Sequence, residues 1–181
     1  MASFVNTFFE KRVEDLFDLA RLIERAFSAA GLEYRVVGDL AAYLYVEESE
    51  PDAGRLTKDI DIIVRRQDID AIANAVEPFG LRYRRAAGVD TLVRAGEPSA
   101  RRAVHLVFSG EKVPGLGPYR NIGAVRLIPL ADLVRMKLTS FRAKDEAHLK
   151  DMDEAGLITP NIEAELPDAR RERLLRVRAR D

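Results

Sequence analysis

The eight residues TKDIDIIV, Thr57 to Val64, constrain this chain more than any other stretch, because they set two aspartates two positions apart inside a run of isoleucine and valine. Successive side chains of an extended strand point to opposite faces, so Asp59 and Asp61 project together while Ile60, Ile62 and Val64 point the other way. Carboxylates held that close repel each other, and aspartate is disfavoured inside strands, so the arrangement brings no structural gain by itself. A divalent cation removes the repulsion. Mg²⁺ takes hard oxygen ligands, commonly one or two carboxylates together with substrate phosphates, and such sites serve phosphoryl-type displacements. The competing reading is an edge strand with two solvated aspartates; the apolar flanks speak for a covered strand instead.

Around this strand the chain alternates short β and helical patterns. Upstream, YRVVGDLAAYLYV reads as a strand from Tyr34 to Val37, broken by Gly38 and followed by a helix through Tyr45 with Asp39 as its cap. Strand, glycine, helix is a layout that brings backbone N–H groups toward a phosphate, although such a turn needs a glycine for its geometry in any case. Downstream, Asp68 caps a helix to about Glu77, and Leu81 to Arg85, Thr91 to Arg94 and Ala103 to Phe108 read as strands that pair in mixed or antiparallel fashion onto the central one. The last of these, AVHLVF, carries His105 in an otherwise apolar strand, as either a hydrogen-bonded core residue or a ligand.

Ser109 to Ile128 is rich in glycine and proline and reads as a long loop with a short strand at Ala124 to Leu127. Pro129 then opens a helix whose apolar stripe, Leu130, Leu133, Val134, Leu138 and Phe141, has Lys137 in its middle. An ammonium on a buried stripe must be ion-paired, reach a charged ligand, or extend its stem outward. In the next helix, Lys144 to Ala155, Leu149 and Met152 face inward, Asp145 reads as an N-cap, and His148 with Asp151 reads as a solvated polar edge. Apolar spacing predicts a long amphipathic helix from Ser3 to Ala30, and the arginine-rich segment Asp168 to Arg180 reads as a solvated basic helix. The expected organisation is one domain over 1–157 and a helical tail over 158–181.

Composition narrows the partners. The 29 basic and 30 acidic residues nearly cancel, so no global field draws the chain to nucleic acid or membrane, and neither a membrane nor DNA is expected as a partner. The absence of cysteine excludes disulfides, thiolate zinc sites and cysteine nucleophiles. Charges appear too early for a secretory signal, and no apolar run reaches a membrane span, so a cytoplasmic address is the expectation.

Three motifs stand in one order: the glycine turn VVGDLAAYL, the D-x-D strand RLTKDIDIIV, and the late helix LVRMKLTSFRAKDEAHLKDM with its inward lysine. Together, over roughly Tyr34 to Leu157, they resemble the nucleotidyltransferase fold of the polymerase-beta type, and within it the small bacterial proteins related to the AbiEii and MNT toxins. The resemblance implies an α/β (α+β) architecture, a mixed β-sheet flanked by helices. It also implies Mg²⁺ held by Asp59 and Asp61, and an NTP whose phosphates rest at Gly38 and Asp39 with Lys58 and Lys137 as cations. Transfer of a nucleoside monophosphate to a protein or RNA hydroxyl, in a system with an antitoxin-type partner, would be the activity. Two positions differ from the family pattern. Asp39 follows Gly38 where glycine or serine is usual, putting a negative charge where a phosphate would bind. His105 stands where a third carboxylate is usual, and an imidazole there could accept a proton or bind a metal.

Overall fold

The computed structural model describes residues 2–55, 57, 59–96, 103–111, 113 and 115–179, with side chains from residue 14 onward. Lys58 therefore lies outside the described residues. The chain begins with helix α1 (Ala2–Ala29), followed by strand β1 (Arg35–Val37) and helix α2 (Gly38–Ser49). Strand β2 (Ile60–Val64) leads through a 3-10 turn into helix α3 (Ile69–Val76). Strands β3 (Leu81–Ala86), β4 (Val89–Arg94), β5 (Val104–Phe108), β6 (Arg120–Ile122) and β7 (Val125–Leu127) come next. The chain closes with helices α4 (Leu130–Ser140), α5 (Ala143–Glu154), α6 (Pro160–Ala164) and α7 (Asp168–Arg178).

The strands form one seven-stranded sheet in the order β3-β4-β5-β2-β1-β7-β6. It is mixed, as the sequence predicts: β2 runs parallel to β5 and β1 parallel to β7, while the other neighbours are antiparallel. The central position of β2 follows from its composition. Ile60, Ile62, Ile63 and Val64 are all buried, and burying a branched aliphatic side chain is worth about 2 kcal/mol. Alternation then leaves Asp61 as the one half-exposed residue of the strand.

Helix α1 packs on α3 and β7, whereas α2 lies on β1 and β2 and meets α4 and α5. The α1 stripe predicted from spacing is buried at Leu16, Ala20, Ile23 and Phe27. Its end is tied to the sheet by Glu24, which accepts hydrogen bonds from Tyr34 (2.6 Å) and Arg126 (2.8 Å).

Several local expectations are corrected. Helix α2 starts at Gly38 with Val37 at the cap position, so Asp39 lies inside the first turn and does not cap it. Asp68 makes no side-chain cap bond to α3. The glycine-rich segment before Pro129 contains the hairpin β6–β7, turned at Gly123 with φ +57°; Arg120 and Asn121 are exposed, and a single apolar residue, Ile122, gives β6 no alternation to read.

Helix α7 is not a solvated element. It packs on α4 and α5 through buried Leu174 and Val177, and Arg173 donates to the C-terminal carbonyls of α4, Leu138 O at 2.6 Å and Thr139 O at 2.9 Å. Two apolar residues one turn apart suffice to dock a helix otherwise covered in arginine, and arginine stems can cover apolar surface. Leu174→Ala should therefore cost about 2–5 kcal/mol in chemical denaturation, whereas a solvated helix would lose almost nothing.

Candidate functional site

The site is built where the β1–α2 turn meets the middle of β2. Register places Val37 opposite Asp61, so the next residue, Gly38, bends away directly over the Asp61 carboxylate. Gly38 has φ +70°, a left-handed conformation that favours glycine. A Cβ at this position would also overlap Asp61 Oδ2. Two independent requirements thus fix a glycine here, and one of them is the close approach of a carboxylate.

On its other side Asp61 faces β5. His105 is its register partner, and His105 Nδ1 lies 3.2 Å from Asp61 Oδ1. An ionised carboxylate only accepts, so Nδ1 carries the proton and donates, and in the neutral ring Nε2 keeps its lone pair. The hydrogen bond from Asp61 raises the His105 pKa above its ordinary value, against the opposing effect of burial. Asp59 stands just ahead of β2. Burial raises its pKa, and the negative charges of Asp61 and Asp39 add to that, while His105 and Lys144 oppose it.

Lys137 lies on the buried stripe of α4, and its ammonium is enclosed. It is only 3% exposed and sits 3.2 Å from Asp39 Oδ1, 3.4 Å from Asp145 Oδ1 and 3.0 Å from His148 Nδ1. Its three donors match these three acceptors. His148 is consequently neutral with its Nδ1 lone pair on Lys137; burial, then the lysine charge, lowers its pKa. The 3.5 Å approach of His148 Nδ1 to Asp39 is for the same reason not an ion pair.

Asp39 is neutralised twice. Its Oδ2 accepts from Lys144 at 3.0 Å, and although burial opposes ionisation, Lys137 and Lys144 hold its carboxyl below the usual range. Asp145 is not an N-cap. It occupies the third position of α5 and accepts from Ser140 Oγ (2.8 Å), Arg142 Nε (2.9 Å) and Arg142 N (3.2 Å). Burial pushes its pKa up, but these bonds and Lys137 prevail and bring it down to about 2.

Asp39, Asp145 and His148 converge closely enough to suggest a metal site. The ammonium of Lys137 already stands against all three ligand atoms, and a dication there would meet a positive charge within van der Waals distance. The group is a lysine cage. The pair at Asp59 and Asp61 suits a divalent cation better, because two carboxylates repel there and burial makes one of them resist ionisation.

A cleft of about 510 Å³ opens against this wall, lined by Gly38, Asp39, Asp61, Lys137, Arg142 and Arg170, among others. The structure thus brings Gly38, Asp39, Asp61 and Lys137 to one cleft, with Asp59 and His105 beside Asp61. The reading of His148 as a solvated edge is corrected: it is buried, and Asp151 turns away to pair with Arg55 at 2.6 Å. Residues 145, 148, 149 and 152 share one helical face, so the apolar pair Leu149 and Met152 already pointed to Asp145 and His148 as inward. Lys144, Arg142 and Arg170 carried no comparable pattern.

The sequence matches no protein-family model and no curated protein. Among solved structures, an antigenic nucleotidyltransferase-like protein from Paracoccidioides brasiliensis superposes with a TM-score of 0.62 at 13% identity, over 92% of this chain and 89% of that one. The fold is nucleotidyltransferase-like. The antibiotic-resistance factor ANT(2'')-Ia (TM-score 0.49, 12% identity, 93% of this chain and 84% of that one) is also similar. So is a Helicobacter pylori protein (0.49, 14%, 93% and 89%). On this nucleotidyltransferase-like fold the D-x-D strand lies at the sheet centre, beside the glycine turn.

Removing a buried partner leaves uncompensated charges. Lys137→Ala should cost about 3–5 kcal/mol in denaturant unfolding, and Lys144→Ala, at a lysine 52% exposed, less than about 1 kcal/mol. Asp145 also sets an acid limit. Its folded pKa lies below the ordinary 3.8, so its contribution of about 2 kcal/mol is present above that value and is lost as pH falls toward 2. Asp145→Asn should accordingly lose less stability than the wild type between about pH 4 and pH 2 in the same assay.

Proposed function

We propose that this protein is a Mg²⁺-dependent nucleotidyltransferase that moves a nucleoside monophosphate from an NTP to an acceptor hydroxyl. The observation that carries the reading is the contact of Asp61 with the Gly38 turn at the wall of a cleft where the acids beside it are already paired, Asp39 by Lys137 and Lys144, Asp145 by Lys137 and Arg142, and Glu111 by Arg66. Expected from its sequence to repel a phosphate, Asp39 is held by Lys137 and Lys144, so the N-terminus of α2 can still offer its N–H groups to an anion.

In this reading the acceptor oxygen bonds to the α-phosphorus, the bond from that phosphorus to the β-bridging oxygen breaks, and pyrophosphate leaves. Asp59 and Asp61 would hold Mg²⁺, which neutralises charge on the phosphate oxygens during displacement. Asp61 orients His105 through Nδ1–H, leaving Nε2 to take the proton of the attacking hydroxyl. Gly38 lets the phosphates approach the backbone. Lys137 acts indirectly, by fixing Asp39, and Lys144 is the exposed cation beside the carboxylates. The resemblance to the AbiEii and MNT proteins supports a protein or RNA acceptor in a toxin-antitoxin setting.

A second reading has its own support. The register Asp61 to His105 puts an imidazole where the family pattern has a third carboxylate, which favours nucleotide binding without transfer. Incubation with α-labelled NTP and Mg²⁺ separates the two. The transferase labels an acceptor and releases pyrophosphate, and Asp61→Asn lowers the rate by a factor of at least about 100, the scale of losing a group that acts at the reacting centre. Nucleotide binding by calorimetry without any label transfer would instead establish the binding protein.

A further inference from the structure

Pairing the charged side chains that line the cleft, one against another, leaves two over. Three of the acids are held by lysine or arginine, as described above. Among the cations, Lys137 is enclosed by Asp39, Asp145 and His148, Arg142 Nε lies 2.9 Å from Asp145, and Arg135 bonds Asp132 at 2.6 Å and reaches Glu165 as well. Only Asp61, which has the ring of His105, and Arg170 have no oppositely charged lysine, arginine or carboxylate against them among the described residues.

Arg170 is the third residue of α7 and is half-buried. Its own helix does not account for it, because the macrodipole favours cations in the last turn and disfavours them in the first. Arg171, in the same turn, is satisfied locally: it pairs with Asp168 at 3.3 Å and donates to Leu166 O at 3.0 Å. A fully solvated guanidinium needs no partner, but one drawn against a cleft wall gives up hydration that a bound anion would restore. Lys137, the cation that the family resemblance implies for the phosphates, cannot serve in its place. It is 3% exposed, and its three donors already face three acceptors.

We infer that Arg170 binds the terminal phosphates of the NTP, so that α7 supplies the phosphate-binding cation that α4 has committed to its cage. The two uncommitted charges of the cleft then divide the triphosphate between them. Asp61, beside the Gly38 turn, marks the reacting end, and Arg170 marks the end that leaves as pyrophosphate. A planar guanidinium can give two parallel N–H bonds to phosphate oxygens. Negative charge grows on the pyrophosphate as its bond to the α-phosphorus breaks, so the same contact strengthens during transfer. The inference rests on the nucleotide reading of the cleft and deepens it: a residue of the C-terminal helix, expected from the sequence as a solvated tail, becomes part of the NTP site.

The test is calorimetric binding of the common ribonucleoside triphosphates to the full chain with Mg²⁺, followed by the monophosphate of whichever binds most tightly. Arg170→Ala should weaken the triphosphate by about 10- to 100-fold, the scale of a charge-assisted contact, and leave the monophosphate within about twofold. Arg170→Gln, which keeps much of the stem and removes the charge, should lose as much. Arg176→Ala, on the same helix but 62% exposed and paired with Glu172 at 2.8 Å, should bind like the wild type. Unchanged thermal unfolding verifies the fold of each variant. If the monophosphate does not bind even the wild type, the triphosphate affinities of the four proteins decide. An unchanged triphosphate affinity in Arg170→Ala or Arg170→Gln, an equal loss for triphosphate and monophosphate, or an equal loss in Arg176→Ala would overturn the inference and leave the transferase reading standing. A wild type that binds no triphosphate would overturn both.

Discussion

One buried ammonium holds the working end of this molecule together. Lys137 on α4 is shared by Asp39 on α2 and by Asp145 and His148 on α5, so three helices that could each pack through apolar contacts alone are fixed relative to one another by direction-dependent bonds. Such a cluster is stable only when complete. Each acceptor would be a costly buried polar group without the lysine, and the lysine would be a costly buried charge without them. Asp145 is further satisfied by Ser140 and Arg142, which also shape the turn between α4 and α5.

This cluster determines what the glycine turn can bind. An aspartate in the first turn of α2 would by itself repel an incoming anion, yet two lysines take up both of its oxygens and return the helix N-terminus to a phosphate-compatible state. Asp61 is held from both sides in turn, by the backbone bend at Gly38 and by the ring of His105. It is therefore the junction of the site: it stands at the wall of a cleft lined by residues of α4, α5 and α7. The D-x-D pattern, the turn and the cleft lie together on a nucleotidyltransferase-like fold, and the proposed chemistry uses each of them at the place where the fold presents it.

The legible part of the structure was the part governed by local periodicity. Alternation in IDIIV gave a central strand with Asp61 turned away from Ile60 and Ile62, whereas Asp59, expected on the same strand face, stands ahead of β2; the helical stripes of α1 and α4 emerged where the spacing put them. The glycine between β1 and α2 was visible as a break, but its contact with Asp61 was not, because the two are brought together by antiparallel register over a separation of more than 20 residues. Lys137 was recognisable as an inward charge, whereas its partners were not. Local pattern predicts a cap at Asp145 and a solvated edge at His148 because polar residues at the start of a helix usually take those roles, although Leu149 and Met152 share their face and are buried with them. Helix α7 reads as solvated for a related reason: Leu174 and Val177 are few against its arginines, and their burial depends on packing against other helices.

The sequence by itself determined the mixed sheet with its acidic central strand and the helix types around it, since these follow from side-chain alternation and from glycine and proline placement. It also determined the overall charge balance that leaves recognition to local patches. Tertiary structure alone decided that Asp39 is neutralised, that His105 faces Asp61 and that Lys137 is caged. Each of those facts is a distance between residues far apart in the chain, and strand register and helix packing set such distances in ways that no local pattern encodes.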